Sequence, residues 1–180
     1  MLTIRTERLD LVAATLAHLD SELESPSELG AILCARVPDG WPPGEYDRPA
    51  IEFFRARLAE DPHTVGWYTW YAVERSPHGP CATVVGAGGY FGPPTHGSVE
   101  IGYSVLPAFR GRGFATELVG ALVSRAFSTP GVISIIAHTQ ADNLGSIKVL
   151  ERCGFSLVGP GQEPGTVRYA QSRMPAQPPR

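Results

Sequence analysis

The stretch Arg110-Gly111-Arg112-Gly113-Phe114-Ala115 carries the most chemically suggestive spacing in the chain. It follows a strand-like run that ends at Pro107 and precedes Phe114, Leu118 and Leu122, which share one face of an amphipathic helix. Glycines just ahead of a helix let consecutive backbone N–H groups point outward, and the helix dipole adds positive potential there. Such a loop can cradle a pyrophosphate. Arg110 and Arg112 add charge-assisted donors beside it, and the small Ala115 lets a ligand approach closely. It is not a Walker loop, because the spacing is too short and no Gly-Lys-Ser/Thr is present. A second glycine run, Gly86-Ala87-Gly88-Gly89-Tyr90-Phe91-Gly92, imitates a dinucleotide fingerprint but has Phe91 at the sixth position, and a strand rather than a helix should follow. Its glycines are expected to permit close packing or a bulge.

The elements that must position this loop can be read from periodicity and punctuation. Residues 8–14 open with strand alternation, and Thr15 is a plausible N-cap for a helix to about Glu24. A second helix is expected over 28–36. Residues 37–49 hold six prolines or glycines around Trp41 and Tyr46 and can be neither regular helix nor central strand. They form either a binding loop or a segment in which Trp41 packs as a lid over the core. Helical spacing returns at 50–60, with Ile51, Phe54 and Leu58 on one face. Strands over 67–74 and 83–91, joined by Ser76-Pro77-His78-Gly79-Pro80, make a hairpin, and 98–106 extends it into a meander. Helix 113–127, strand 132–138, helix 143–153 and strands 155–159 and 167–173 follow. The expected fold class is α/β (α+β), one domain over residues 1–173 with a disordered, proline-rich tail at 174–180.

Composition narrows the function by exclusion. A net charge of −3 over 180 residues leaves no electrostatic footprint for nucleic acid. Cys34, Cys81 and Cys153 are odd in number and widely spaced, which argues against a disulfide framework or a zinc site and suits a reducing compartment. The N-terminus is charged where a signal peptide needs an apolar core, and no apolar run is long enough for a membrane span. A cytoplasmic protein without a membrane or nucleic-acid partner is expected, as monomer or homodimer. Lys148 is the sole lysine among fifteen basic residues.

Three blocks, taken together, resemble the GCN5-related N-acetyltransferases. Arg110-Gly-Arg-Gly113-Phe-Ala115 is similar to that family's acetyl-CoA signature, Gln/Arg-x-x-Gly-x-Gly/Ala, on the expected strand–loop–helix. Asn143-Leu-Gly-Ser146 followed by Gly154-Phe155 resembles the Asn-x-x-Ser…Gly-Phe block of the subgroup that includes the ribosomal-protein N-terminal acetylases. Thr6-Glu7-Arg8-Leu9-Asp10-Leu11 looks like that subgroup's first strand. The resemblance spans roughly residues 5–173. It implies a mixed, mostly antiparallel sheet with a splayed parallel strand pair and helices on both faces.

The resemblance also implies acetyl-CoA as co-substrate, with no metal. The pyrophosphate would lie on backbone amides of Arg110, Gly111, Arg112, Gly113, Phe114 and Ala115, and the pantetheine along Val105 and Leu106, with Asn143 beside it. Transfer to a primary amine needs a base for the ammonium, an acid for the thiolate and a backbone donor for the oxyanion. Glu100 is the first candidate base, since it shares a strand face with Gly102 and Ser104 and leaves room for an amine; the alternative is a strand-edge Glu paired with an arginine. Many relatives carry a tyrosine as acid where this chain has Leu150. Ser146 is the substitute, or else a helix side chain bonding a backbone carbonyl, with Tyr103 and His138 as further options. The acceptor could be a protein N-terminus, an aminoglycoside, a polyamine or another small amine, bordered by Glu45, Asp47 and Glu52. The competing reading is a non-catalytic acyl-CoA-binding module that has lost its acid.

Overall fold

A computed structural model describes residues 1–76 and 81–173. The turn expected at 77–80 and the tail at 174–180 lie outside the described residues. The elements in chain order are β1 (Thr3–Arg5), β2 (Leu9–Ala13), α1 (Leu16–Glu24), α2 (Pro26–Leu33), β3 (Ala35–Arg36), α3 (Arg48–Glu60), β4 (Thr69–Glu74), β5 (Ala82–Tyr90), β6 (Ser98–Val105), α4 (Phe114–Ser128), β7 (Ser134–Gln140), α5 (Leu144–Arg152), β8 (Ser156–Pro160) and β9 (Thr166–Ser172). The strands form one sheet in the order β1-β2-β4-β5-β6-β7-β9-β8, with β3 added beside β5. All neighbours are antiparallel except β6/β7 and the short β3/β5 pair.

The second helix is shorter than its periodicity suggests. Ser25 caps it by accepting from the Glu28 amide, and Cys34 leaves it in the left-handed conformation at φ +50°. Ala35 and Arg36, expected as helix, instead pair in parallel with Ala82 and Thr83. The three-residue β1 at the sheet edge had no periodicity to announce it.

Alternation along the strands sorts the core into two layers. Leu9, Leu11, Trp70, Ala72, Val99, Ile101 and Ile135 pack beneath the apolar face of α4. Val12, Tyr71, Val73 and Val84 point the other way, against Leu19, Leu29, Phe54 and Leu58 of α1–α3. The glycines of β5 serve this packing. A Cβ on Gly89 would lie 1.9 Å from the Tyr68 carbonyl oxygen, and one on Gly86 2.5 Å from that of Ser104. Between Ala72↔Gly86 and Val73↔Val84 the register passes over Val85, a bulge in β5.

One feature of the sheet opens a site. β6 and β7 pair only through Ser98–Glu100 and Ser134–Ile136. Beyond those residues β6 continues against β5, and β7 against β9. The strands therefore diverge past Glu100 and leave a wedge at the sheet centre. Among the described residues no helix is long and apolar enough to cross a membrane, and no group of three His, Cys, Asp or Glu is placed to hold a metal ion.

Candidate active site

Three hollows meet at Tyr103. The first, about 400 Å³, runs from Val105 past Arg110, Gly113 and Ala115 to α5. The second, about 360 Å³, occupies the wedge with Glu100, His138 and Ser146 on its walls. The third, about 120 Å³, lies under α3 against β4–β6.

The first hollow is built around an uncapped helix. Gly113, at φ +83°, precedes α4 and has no side chain to cap it. The Glu117 amide makes the helix's first bond, to the Gly113 carbonyl, so the amides of Phe114, Ala115 and Thr116 precede any intrahelical partner. Gly111, at φ +74°, turns the chain into this start. The loop is held from behind by the opening Thr-Glu-Arg block. Arg8 donates to the Arg112 carbonyl at 2.8 Å and forms an ion pair with Glu117, whose carboxylate also accepts from Thr6 and the Arg8 amide. Burial would raise the Glu117 carboxyl, but those hydrogen bonds and the Arg8 charge outweigh it and hold it below the usual range.

The expected cofactor residues divide in this geometry. Val105, Arg110, Gly111, Gly113, Phe114, Ala115 and Asn143 line the first hollow. Asn143 also caps α5, its Oδ1 accepting from the Ser146 amide at 3.1 Å. Arg112 turns away: its guanidinium binds Glu74 at 2.9 Å and lies 4.8 Å over the Phe114 ring. An acidic partner on β4 outcompetes the loop for that side chain, so only the Arg112 backbone remains near the cradle. Leu106 is buried outside the hollow, with its amide donating to the Val85 carbonyl at 2.9 Å. That bond to the β5 bulge takes the donor that the strand-edge role would need. Two cations on the wall were not anticipated from sequence. Lys148 and Arg152 stand four residues apart on α5 and line the same hollow, and that spacing was the available signal.

In the wedge Glu100 pairs with His138 rather than an arginine, Oε1 to Nδ1 at 2.9 Å. The other ring nitrogen, Nε2, is buried and without a partner. The Tyr103 hydroxyl lies 3.0 Å from the Ser146 carbonyl and 2.9 Å from the Ser146 hydroxyl. The serine hydroxyl thus meets a phenol, not a carbonyl of its own helix. Burial pushes the Tyr103 phenol up to about 12, partly offset by the Ser146 bond. Leu150 is fully buried.

On the α3 side, Glu45 borders the second and third hollows. Asp47 caps α3 by accepting from the Ala50 amide, and Glu52 pairs with Arg48 on the outer surface. Trp41 follows the lid reading: its Nε1 donates to buried Glu22 at 2.7 Å, and it packs near Tyr46 and Tyr71. The Tyr46 and Tyr71 hydroxyls also donate to Glu22, which fastens the loop to the sheet. The other end of that loop, Glu45-Tyr46, reaches the hollows.

A strand–loop–helix cradle beside a central wedge is the arrangement of the GNAT fold, and the comparisons agree. Residues 8–156 match the model of the acetyltransferase (GNAT) domain. The chain is 30% identical over 158 residues to the uncharacterized N-acetyltransferase YjdG of Bacillus subtilis strain 168, covering 87% of this chain and 91% of that one. The structure of ribosomal-protein-S5-alanine acetyltransferase from Vibrio fischeri superposes with a TM-score of 0.67 at 15% identity, over 99% of this chain and 100% of that one. RimL, the ribosomal L7/L12 α-N-protein acetyltransferase solved with coenzyme A, gives 0.64 at 19% identity, over 95% and 98%. The chain belongs to the GNAT acetyltransferase family, and acyl transfer is the activity that membership indicates.

Proposed function

We propose that this protein transfers an acetyl group from acetyl-CoA to a primary amine by direct attack in a ternary complex. The observation that carries the reading is the meeting, at Tyr103, of an uncapped helix N-terminus in a cationic groove with a wedge that holds a carboxylate. The cradle fits a pyrophosphate: the amides ahead of Glu117 lack intrahelical partners, and Arg110, Lys148 and Arg152 supply positive charge around them. Acetyl-CoA, when bound there, supplies the activated acetyl group.

The chain's own residues then divide the proton work. Glu100 accepts the proton that the ammonium must lose, and His138 is a positioning residue that fixes the carboxylate from behind. Tyr103, protonated at any physiological pH and joined to Ser146, is the proton donor to the departing sulfur. This pair supplies a hydroxyl although the usual phenol position is Leu150, which favours the enzyme over the non-catalytic acyl-CoA-binding module. Glu45, Glu100 and Glu163 border the wedge and attract a cationic amine. YjdG, named an N-acetyltransferase, supports the amine as acceptor class.

The test is CoA release from acetyl-CoA across a panel of amines with Glu100→Gln beside wild type. Turnover in wild type and a fall of about 10²-fold in kcat, with the acetyl-CoA KM within about twofold, is the expected outcome. Wild-type rates in the variant would remove Glu100 as base. Tight acetyl-CoA binding with no turnover on any amine would establish the binding module instead.

A further inference from the structure

We propose that the acceptor is a compact aralkylamine, a primary amine on a short chain bearing one aromatic ring, with the ring seated in the third hollow. This rests on the acetyltransferase reading above and names the acceptor of that site. A row across the sheet lines the hollow. Thr69 of β4, Gly89 of β5 and Gly102 of β6 are successive register partners. Two of the three lack side chains: the Phe91 ring lies 3.0 Å from where a Gly102 Cβ would stand, and the Tyr68 carbonyl crowds Gly89. Tyr46, Phe54 and Phe91 wall the space. At about 120 Å³ it is on the scale of cavities that hold a single benzene ring.

The polar groups are set at the two ends of that row. At the β6 end Gly102 adjoins the wedge, where Glu100 lies one pleat away on the same strand face, and Glu45 borders both hollows. At the β4 end stands Thr69, 3% exposed, with its hydroxyl beside that of Tyr46. Its neighbour, the Tyr46 hydroxyl, already donates to Glu22. Gly102 and Thr69 stand two strand spacings apart, about 10 Å, with Glu100 one pleat further along β6, so an amine held by the Glu100 side chain can carry a two-carbon chain and a ring into the hollow. Among the described residues Glu45 is the sole carboxylate on the hollow's wall. A polyamine's second ammonium would find that one carboxylate and leave the rest of the apolar space unfilled, whereas a ring packs against Tyr46, Phe54 and Phe91. A peptide N-terminus would leave the ring-sized space unfilled unless its side chain were aromatic.

The experiment is steady-state CoA release at saturating acetyl-CoA with ethylamine, phenethylamine, tyramine, 2-(1-naphthyl)ethylamine, spermidine and a hexapeptide with a free Ser or Ala N-terminus. Phenethylamine should exceed ethylamine in kcat/KM by about tenfold or more, the scale of one apolar group in a fitted pocket. The naphthyl homologue, spermidine and the peptide should fall below it. Ala50→Leu, which fills the hollow from α3, should lower phenethylamine kcat/KM about tenfold with acetyl-CoA affinity retained. Phe91→Ala, which removes one aromatic wall of the hollow at a half-exposed position, should lower phenethylamine kcat/KM by a similar factor, which keeps the inference testable if the larger substitution does not fold. Higher kcat/KM on spermidine or the peptide, with acetyl-CoA turned over, would overturn this inference and leave the acetyltransferase reading standing. Turnover on no amine would overturn both.

Discussion

Replacing Gly113 with aspartate tests the cradle at the residue where backbone geometry and charge act together. Gly113 lies at φ +83°, where an L-residue costs roughly 1–2 kcal/mol. A Cβ there would stand 3.3 Å from Arg8 Nη2, and that guanidinium is already committed to Glu117 and the Arg112 carbonyl. Relieving the strain means rotating Gly113 out of the left-handed region, which turns its amide and that of Phe114 away from the groove. One lost hydrogen bond to a charged group is worth about 1.5–3 kcal/mol, or roughly 10- to 100-fold in Kd. The aspartate also places a negative charge at Arg8, where it competes with Glu117 for the guanidinium that holds the Arg112 carbonyl. An aspartate just before a helix stabilises the helix itself, so α4 should survive. Gly113→Ala carries the strain without the charge and should weaken acetyl-CoA by about tenfold, whereas Gly113→Asp should exceed about 100-fold. Calorimetric titration measures both, with circular dichroism melts as the check on folding. A folded Gly113→Asp protein with wild-type affinity would refute the cradle.

Other outcomes follow from the same geometry. Arg112→Ala should leave acetyl-CoA affinity within about twofold and cost no more than about 1 kcal/mol in a denaturant melt, since its partner is the exposed pair with Glu74. Lys148→Ala combined with Arg152→Ala should instead raise the acetyl-CoA KM about tenfold at unchanged kcat and flatten its salt dependence. Tyr103→Phe should lower kcat about 10²-fold. Because burial raises that phenol from 10.0 to about 12, the wild-type rate should show no alkaline loss from it up to pH 10. An alkaline limb that persists in the phenylalanine variant would identify another acid. Glu22 is raised by burial, against the opposing hydrogen bonds from Tyr71, Tyr46 and Trp41. The stability linked to it is therefore greatest at low pH and is lost as pH rises through its folded value. Glu22→Gln should remove that loss, read as a smaller fall in melting free energy between acid and neutral pH.

The parts of this protein that were legible in its sequence are those that neighbouring residues decide. Gly111 and Gly113 before an amphipathic run specify an open helix start by backbone preference alone, and the strand alternation at Leu9, Leu11, Trp70 and Ala72 specifies a buried face. The same local reading failed at Cys34-Ala35-Arg36, where helical composition gave way to pairing with Ala82 and Thr83, far along the chain. It also assigned the Arg112 side chain to phosphate, although a carboxylate from β4 holds it in the folded protein. Side-chain partners across strands depend on register, which no local pattern states. The row Thr69–Gly89–Gly102 belongs to three strands, and its hollow could not be drawn until their pairing was known.

Glu100 and His138 show how closely such partners depend on register. Glu100 and Ile136 are the last pair of a parallel contact three residues long. His138 lies two residues past Ile136 on the same strand face, one pleat along. The divergence that opens the wedge also lifts the next side chains out of pairing, and His138 leans back across the gap to the Glu100 carboxylate. One more residue of pairing would narrow the wedge, and one fewer would carry the imidazole out of reach. The length of that short parallel contact is thus what joins an entrance for substrate to a fixed carboxylate.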